Sequence, residues 1–324
     1  MKNKKVLFFI MTVVLIAAAY ISVNVGSVNV PFIRIVRGLF NGAGGDVGII
    51  RDLRLPRIAL SIIVGANLAV AGVLLQAVMR NPLADPGIIG ISSGASVFAA
   101  VILLYFPKLH FSLPLISFAG GALACCVIYS LAWKKGLSPV RIILAGVAVN
   151  AVLGGMSSML SILNSDKMQS ILMWLNGSIS TRGWKDVRML LVYSVVGLTI
   201  SFLMYKSCDL LSLGDKTATN LGINVNVHRL LISGAAVFLA GTSTSIVGVI
   251  GFIGLVVPHI SRMIIGSSHK YLIPFSAITG SVVLLLADTL GRVAAKPYEI
   301  PVGVVTAVLG GPFFLYLLRR SEKA

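Results

Sequence analysis

Charge is scarce in this chain. Only 11% of its 324 residues are charged, against roughly a quarter in an average soluble domain. Acids are the rarest, with 10 Asp and Glu set against 27 Lys and Arg. No pair of carboxylates and no nucleophile beside a base stands out, so a hydrolase is excluded. The three cysteines are Cys125 and Cys126, neighbours in an apolar run, and Cys208. Without any C-x-x-C spacing, they exclude a disulfide framework and a thiolate metal site. His110, His228, His259 and His269 show neither H-x-x-x-H nor H-E-x-x-H, so no metal centre is expected. G-x-x-x-x-G-K-[ST] is absent too. With no hydrophilic stretch long enough to hold ATP, the chain cannot by itself drive anything with that nucleotide.

Apolar sequence is abundant: 57% of residues are hydrophobic and the mean hydropathy is +0.96. Runs of about 20 residues, enough to cross roughly 30 Å of hydrocarbon, recur along the whole length. They predict an all-α polytopic membrane protein of about ten transmembrane helices. The expected spans are 6–25, 58–79, 90–107, 113–133, 141–163, 189–206, 230–250, 252–265, 272–290 and 303–318. The eighth is short and glycine-rich, which suits a re-entrant or tilted helix. No soluble domain fits between any two of them, so residues 1–324 read as a single transmembrane domain. Lys2 to Lys5 and Ala17-Ala18-Ala19 resemble a secretory signal, but the apolar run continues to Val25. A retained first span fits better.

The loops give an orientation. With the N-terminus inside, inner segments carry 15 of the 27 basic residues and four acids; outer segments carry 12 and six. The bias favours both termini on the cytoplasmic side. The basic outer face is the unusual part, since it attracts an acidic partner or an anionic solute. Binding of these arginines to lipid phosphates competes with that reading.

Four polar islands interrupt the apolar sequence. The first runs from Arg54-Leu55-Pro56-Arg57 through Arg80-Asn81-Pro82-Leu83-Ala84-Asp85-Pro86-Gly87 to Gly90-Ile91-Ser92-Ser93-Gly94. Both prolines forbid a continuous helix, and Asn81 and Asp85 can cap exposed backbone groups. A tight inner turn explains most of this stretch. Gly87, Gly90 and Gly94 add close backbone approach of the kind an interior path needs, which makes Asn81, Pro82, Asp85, Pro86, Gly90 and Gly94 helix-break and path-lining candidates.

The second island is Leu213 to Gly222, with Asp215 placed to cap a short helix and Gly222 to end it. Leu213, Ala218 and Leu221 give that helix a small apolar face, suited to the membrane surface or a partner's groove. From the residues alone, the membrane surface is slightly preferred. The third island carries Gly248, Gly251 and Gly254, spaced for close helix packing, and His259, read as a helix-end residue. The fourth holds Asp288 and Arg292, an i,i+4 pair inside a span, with Arg292 also able to face outward. An intramembrane acid is a functional candidate by default.

This ordered set resembles the permease subunits of type II ABC importers for iron(III)-siderophore, haem and cobalamin, the FecCD family. Further matching residues are Gly65-Ala66-Asn67-Leu68-Ala69, Gln76, Trp174-Leu175-Asn176-Gly177-Ser178, Phe252-Ile253-Gly254-Leu255, Pro258-His259, Arg262 and Glu299-Ile300-Pro301. Each motif alone is weak; their order across nearly the whole chain is specific. The resemblance implies ten transmembrane helices per subunit and a second permease subunit, identical or paralogous. It also implies two ATPase subunits inside and an extracytoplasmic binding protein outside, in a bacterial plasma membrane, with lipid around the spans and no nucleic acid. It gives Arg54, Arg57 and Arg292 to binding-protein docking. It makes Leu213, Gly214, Asp215, Ala218, Leu221 and Gly222 an ATPase-coupling segment, which moves the preference there to a partner's groove. The chain itself would be a non-catalytic subunit binding no cofactor, with ATP used by its partners. Cobalamin import by the same mechanism and an ion-gradient-driven secondary transporter are the competing readings. The latter should show inverted repeats, and no convincing repeat is present.

Overall fold

The computed structural model describes residues 3–25, 48, 50–134, 136–165, 168–295 and 297–321. Lys2, Arg34, Arg37, Asp46, Lys135, Asp166, Lys167, Lys296, Glu322 and Lys323 of the charge reading lie outside the described residues. All named elements among the described residues are helical.

Ten helices follow the expected spans: α1 (Lys4–Asn24), α2 (Leu55–Met79), α3 (Ile91–Tyr105), α4 (Leu113–Ala132), α5 (Pro139–Leu163), α7 (Trp184–Leu203), α10 (Val225–Val247), α11 (Ile253–Ile265), α12 (His269–Val293) and α13 (Val302–Ser321). Three short helices lie between them: α6 (Met168–Leu175), α8 (Tyr205–Ser212) and α9 (Asp215–Asn220). Seven of the ten are long and apolar enough to cross a membrane among the described residues; α3, α11 and the apolar part of α13 are shorter. The 13 residues of α11 reach only about 20 Å at 1.5 Å per residue, so the short eighth span is real.

Local chemistry sets the boundaries. Pro56, Pro114 and Pro139 occupy first-turn positions of α2, α4 and α5, where a missing N–H costs nothing. Helix α7 starts five residues before its expected limit, because the Gly183 N–H donates to Asp186 Oδ2 (3.0 Å) and fixes the first turn.

Burial separates an inner trio from an outer shell. The most apolar windows of α2, α10 and α12 are 83%, 72% and 72% buried, whereas those of α1 and α5 are each 11% buried. Small residues let the trio close up. A side chain on Gly65 would strike the Gly280 carbonyl of α12, and one on Gly72 would overlap the Gly254 carbonyl of α11. Asn67 at the middle of α2 donates to Ser194 Oγ on α7 (2.7 Å) and Ser243 Oγ on α10 (3.0 Å). Gly72→Val should therefore force α2 and α11 apart. Overpacking of this kind costs about 1–3 kcal/mol, which a thermal melt of the purified protein would read as a lower midpoint, while Gly234→Ala, facing open space, should leave it unchanged.

The glycine triplet of the third island does not form one packed ridge. Gly248 ends α10 at φ +79 against the Trp174 carbonyl, Gly251 lies in the linker with nothing near it, and Gly254 starts α11. The break between the two helices interrupts the spacing.

Candidate functional site

Three places concentrate the polar residues: one end of the bundle, its middle, and the opposite end. At the end where α2 begins, Arg57 Nε donates to both oxygens of Asp288 (3.0 and 2.9 Å) and its Nη1 pairs with Glu299 (2.8 Å). Asp288 is 1% exposed. The anticipated i,i+4 partner Arg292 stands farther off, at 3.5 Å. Its guanidinium and that of Arg54 turn instead to the end of α1. Arg54 Nη1 donates to the Val23 carbonyl (2.9 Å) and Arg292 Nη2 to the Ser22 carbonyl (3.1 Å). These carbonyls have no intrahelical donor, and cations suit a helix C-terminus. All three docking candidates thus lie together, tied inward by buried or mostly buried side chains rather than projecting freely.

The chain leaves α2 at Arg80, which adopts a left-handed φ of +48, and then turns back to the middle of the bundle, where Asp85 and Pro86 lie beside Leu68 and Gly254. The Asn81 side chain accepts from Leu83 N (2.9 Å) and that of Asp85 from Gly87 N (2.8 Å), so both cap as expected. Asp85 thereby starts a 3-10 turn, Pro86–Ile89, ahead of α3. A cavity of about 150 Å3 opens there, bordered by Asp85, Pro86, Ser92, Ser93, Thr244 and Gly251. Gly90 and Gly94 do not border it; they face α4, Gly90 against Ile128 and Gly94 against Gly120. Pro82 is exposed.

At the opposite end, α9 carries the second island. Gly214 occupies the N-cap position at φ +104, and Asp215 is the first helical residue with no capping bond. Its carboxylate goes instead to Arg229 Nη2 (2.9 Å) and lies 3.6 Å from Arg80. Arg229 is 1% exposed and also donates through Nη1 to the Leu137 carbonyl (2.6 Å). One carboxylate therefore ties α9 to α10 and to the end of α2. Gly222 follows the helix at φ +87, as a terminating glycine should. Ala218 is buried, but Leu213 and Leu221 are 60% and 57% exposed.

The residues that sequence reasoning missed are the long-range partners. Nothing local links Arg57 to an acid 231 positions away, or Asp215 to Arg80. His259 lies within α11 rather than at its end, and among the described residues no group of three His, Cys, Asp or Glu could hold a metal.

A helical bundle of membrane-crossing length, tightly packed at its centre, broken by a polar cavity, and bearing at one end a short helix flanked by two exposed leucines, has the architecture of the membrane subunit of a transporter. The chain belongs to the FecCD transport family, which it matches over residues 14–320. It is 41% identical over 321 residues to the Fe(3+)-citrate import system permease protein YfmD of Bacillus subtilis, covering 99% of this chain and 96% of that one. It is 40% identical over 321 residues to a protein of Staphylococcus aureus named "Probable heme-iron transport system permease protein IsdF", covering 99% and 98%. An inward-facing conformation of a transporter assigned to the metal-chelate ABC type superposes with a TM-score of 0.86 at 29% identity, over 98% of this chain and 99% of that one. The PsaBC protein of Streptococcus pneumoniae shares the fold at 18% identity and a TM-score of 0.58, over 88% of this chain and 95% of that one. The chain is thus an ABC-importer permease, and the expected fold class stands.

Proposed function

We propose that this permease carries an iron(III) chelate, a siderophore complex or haem, across a bacterial plasma membrane. The observation that carries this reading is the end-to-end identity of 41% and 40% with iron-citrate and heme-iron permeases. An extracytoplasmic binding protein delivers the cargo, and two ATPase subunits supply the energy. The chain acts as one membrane domain with no catalytic centre and no cofactor of its own. Both termini lie in the cytoplasm, which the basic inner loops support.

The partners are assigned to separate surfaces. A second permease subunit, identical or paralogous, covers α5, whose exposed Leu144, Val147, Val152 and Met159 have nothing apolar to face within the chain. Lipid surrounds α1 and α7. The binding protein docks on the rim around Arg54, Arg57 and Arg292, where three cations outnumber Asp288 and Glu299. Glu299 is 49% exposed, so an acid of the partner can share Arg57 with it. The segment Leu213, Gly214, Asp215, Ala218, Leu221 and Gly222 couples to the ATPase. Asn81, Pro82, Asp85, Pro86, Gly90 and Gly94 form and support the break in the path, with Asp85 and Pro86 at its wall.

A weak membrane site suits this task, because each tenfold of affinity deepens the well by about 1.4 kcal/mol and slows release. Cells lacking the gene should lose energy-dependent uptake of labelled iron-citrate, another iron-siderophore or haem, and regain it on complementation. Loss of cobalamin uptake alone would replace the cargo but keep the mechanism. Uptake that survives ATP depletion but collapses with the ion gradient would overturn the importer reading.

A further inference from the structure

A second cavity, of about 470 Å3, lies at the end of the bundle that carries Arg57. Its wall includes Trp174 at the end of α6 and Ser178, Ser180, Thr181 and Arg182 in the connection to α7. Two donors there are unused. Trp174, 6% exposed, has a buried indole N–H with no acceptor, and Arg182 Nε is likewise buried and unbonded. A buried N–H without a partner costs about 1–3 kcal/mol, and more where the group carries charge, as the Arg182 Nε does. Burial pushes the Arg182 guanidinium below its ordinary value, only partly offset by Asp186 nearby. Asp186 does not hydrogen-bond it; that carboxylate is engaged by the Gly183 N–H. Among the described residues, no acid lines the cavity.

The connection is rigidly held despite its irregular shape. Ser178 N donates to the Val247 carbonyl (2.8 Å), and Gly303 N to the Gly177 carbonyl (3.3 Å). Thr181 sits at φ +71, a costly conformation for a β-branched residue. Such strain persists where the surrounding structure imposes it, often at a ligand site. The hydroxyls of Ser178 and Ser180 bond each other at 2.6 Å, which uses one O–H and leaves the other as a further donor.

We propose that this cavity binds an oxyanion, a carboxylate or a phosphate group, held by the Arg182 guanidinium and the Trp174 indole N–H. An anion supplies the acceptor that both donors lack, and the cation supplies the charge to hold it. If the importer reading holds, the carboxylate arm of the arriving chelate is the transported occupant; the binding site itself does not depend on that reading.

The test uses the full chain in nanodiscs of zwitterionic phosphatidylcholine, with Trp133→Phe and Trp184→Phe leaving Trp174 as the only emitter. Citrate and inorganic phosphate, added separately at constant ionic strength, should each change the emission saturably. Arg182→Gln should weaken that response about tenfold or more, matching the loss of a charged hydrogen bond. Arg182→Lys should recover part of it, and Arg188→Gln, at an exposed position of α7, should leave it alone. A thermal melt of each variant confirms that it remains folded. If only discs containing phosphatidylglycerol change the emission, in an Arg182-dependent way, the anion is a lipid phosphate and the site stands. No response to citrate, phosphate or anionic lipid, or equal responses with and without Arg182, would overturn the proposal. Because binding is read without transport, such a failure would leave the uptake experiment unaffected.

Discussion

Replacing Arg57 by leucine should destabilise the protein by roughly 3–5 kcal/mol, the cost of leaving one partner of a buried ion pair alone. Asp288 would lose both of its short bonds to Arg57 Nε and keep only Arg292, at 3.5 Å. An acid 1% exposed cannot recruit water in exchange. Glu299→Gln makes the contrast: its carboxylate is 49% exposed and bonds the same guanidinium. Exposed pairs contribute about 0–1 kcal/mol, so this change should be nearly silent. Removing both charges, Arg57→Leu with Asp288→Leu, should recover most of the loss, because well-packed apolar residues often equal or exceed a buried pair. Denaturation midpoints of the four proteins in one detergent decide the matter. If the single and double variants melt alike, the cost lies in packing around Arg57 and the pair is not what holds the rim.

That cluster also marks where sequence reading stopped. Run length found the ten principal helices to within about five residues, because each must be apolar along most of its length to meet lipid or its neighbours. Turn chemistry was equally readable: Asn81, Asp85 and Gly222 do what their positions in the sequence suggest. Partnership was not. Periodicity offered Arg292 to Asp288 because they are one helical turn apart, yet the better donor came from a helix 231 positions earlier. At Asp215, an acid before a short helix predicted a cap, but a buried arginine one helix on competes more strongly for the carboxylate than backbone N–H groups do. Arg182, and the unfilled donor of Trp174, escaped notice for another reason: an unfilled hydrogen bond leaves no trace in spacing.

Burial assigns the parts different work. The trio α2, α10 and α12 is locked by glycine contacts and by Asn67, whereas α9 touches it mainly through a small buried alanine and one carboxylate. A force applied to α9 therefore enters the bundle through Asp215. From there it divides between Arg229, on α10, and Arg80, at the start of the segment that walls the cavity beside Asp85.

On the groove reading of α9, changing both Leu213 and Leu221 to aspartate should abolish ATPase association while leaving the fold intact. Both side chains are more than half exposed, and surface substitutions usually shift stability by no more than about 0.5 kcal/mol. Apolar anchors in a partner's groove behave differently: losing one costs about 2 kcal/mol or more at a hot spot, roughly thirtyfold in affinity. Asp215→Asn should give the complementary phenotype. The leucines remain, so the ATPase still binds, but Arg229 and Arg80 lose their shared anion and the movement of α9 no longer reaches them. Transport per ATP hydrolysed should fall severalfold at near-normal ATPase affinity. Co-purification of the two subunits and transport-to-hydrolysis ratios in proteoliposomes separate these outcomes. A leucine double variant that still binds ATPase and transports normally would mean that α9 rests on lipid, its apolar edge lying in the membrane interface.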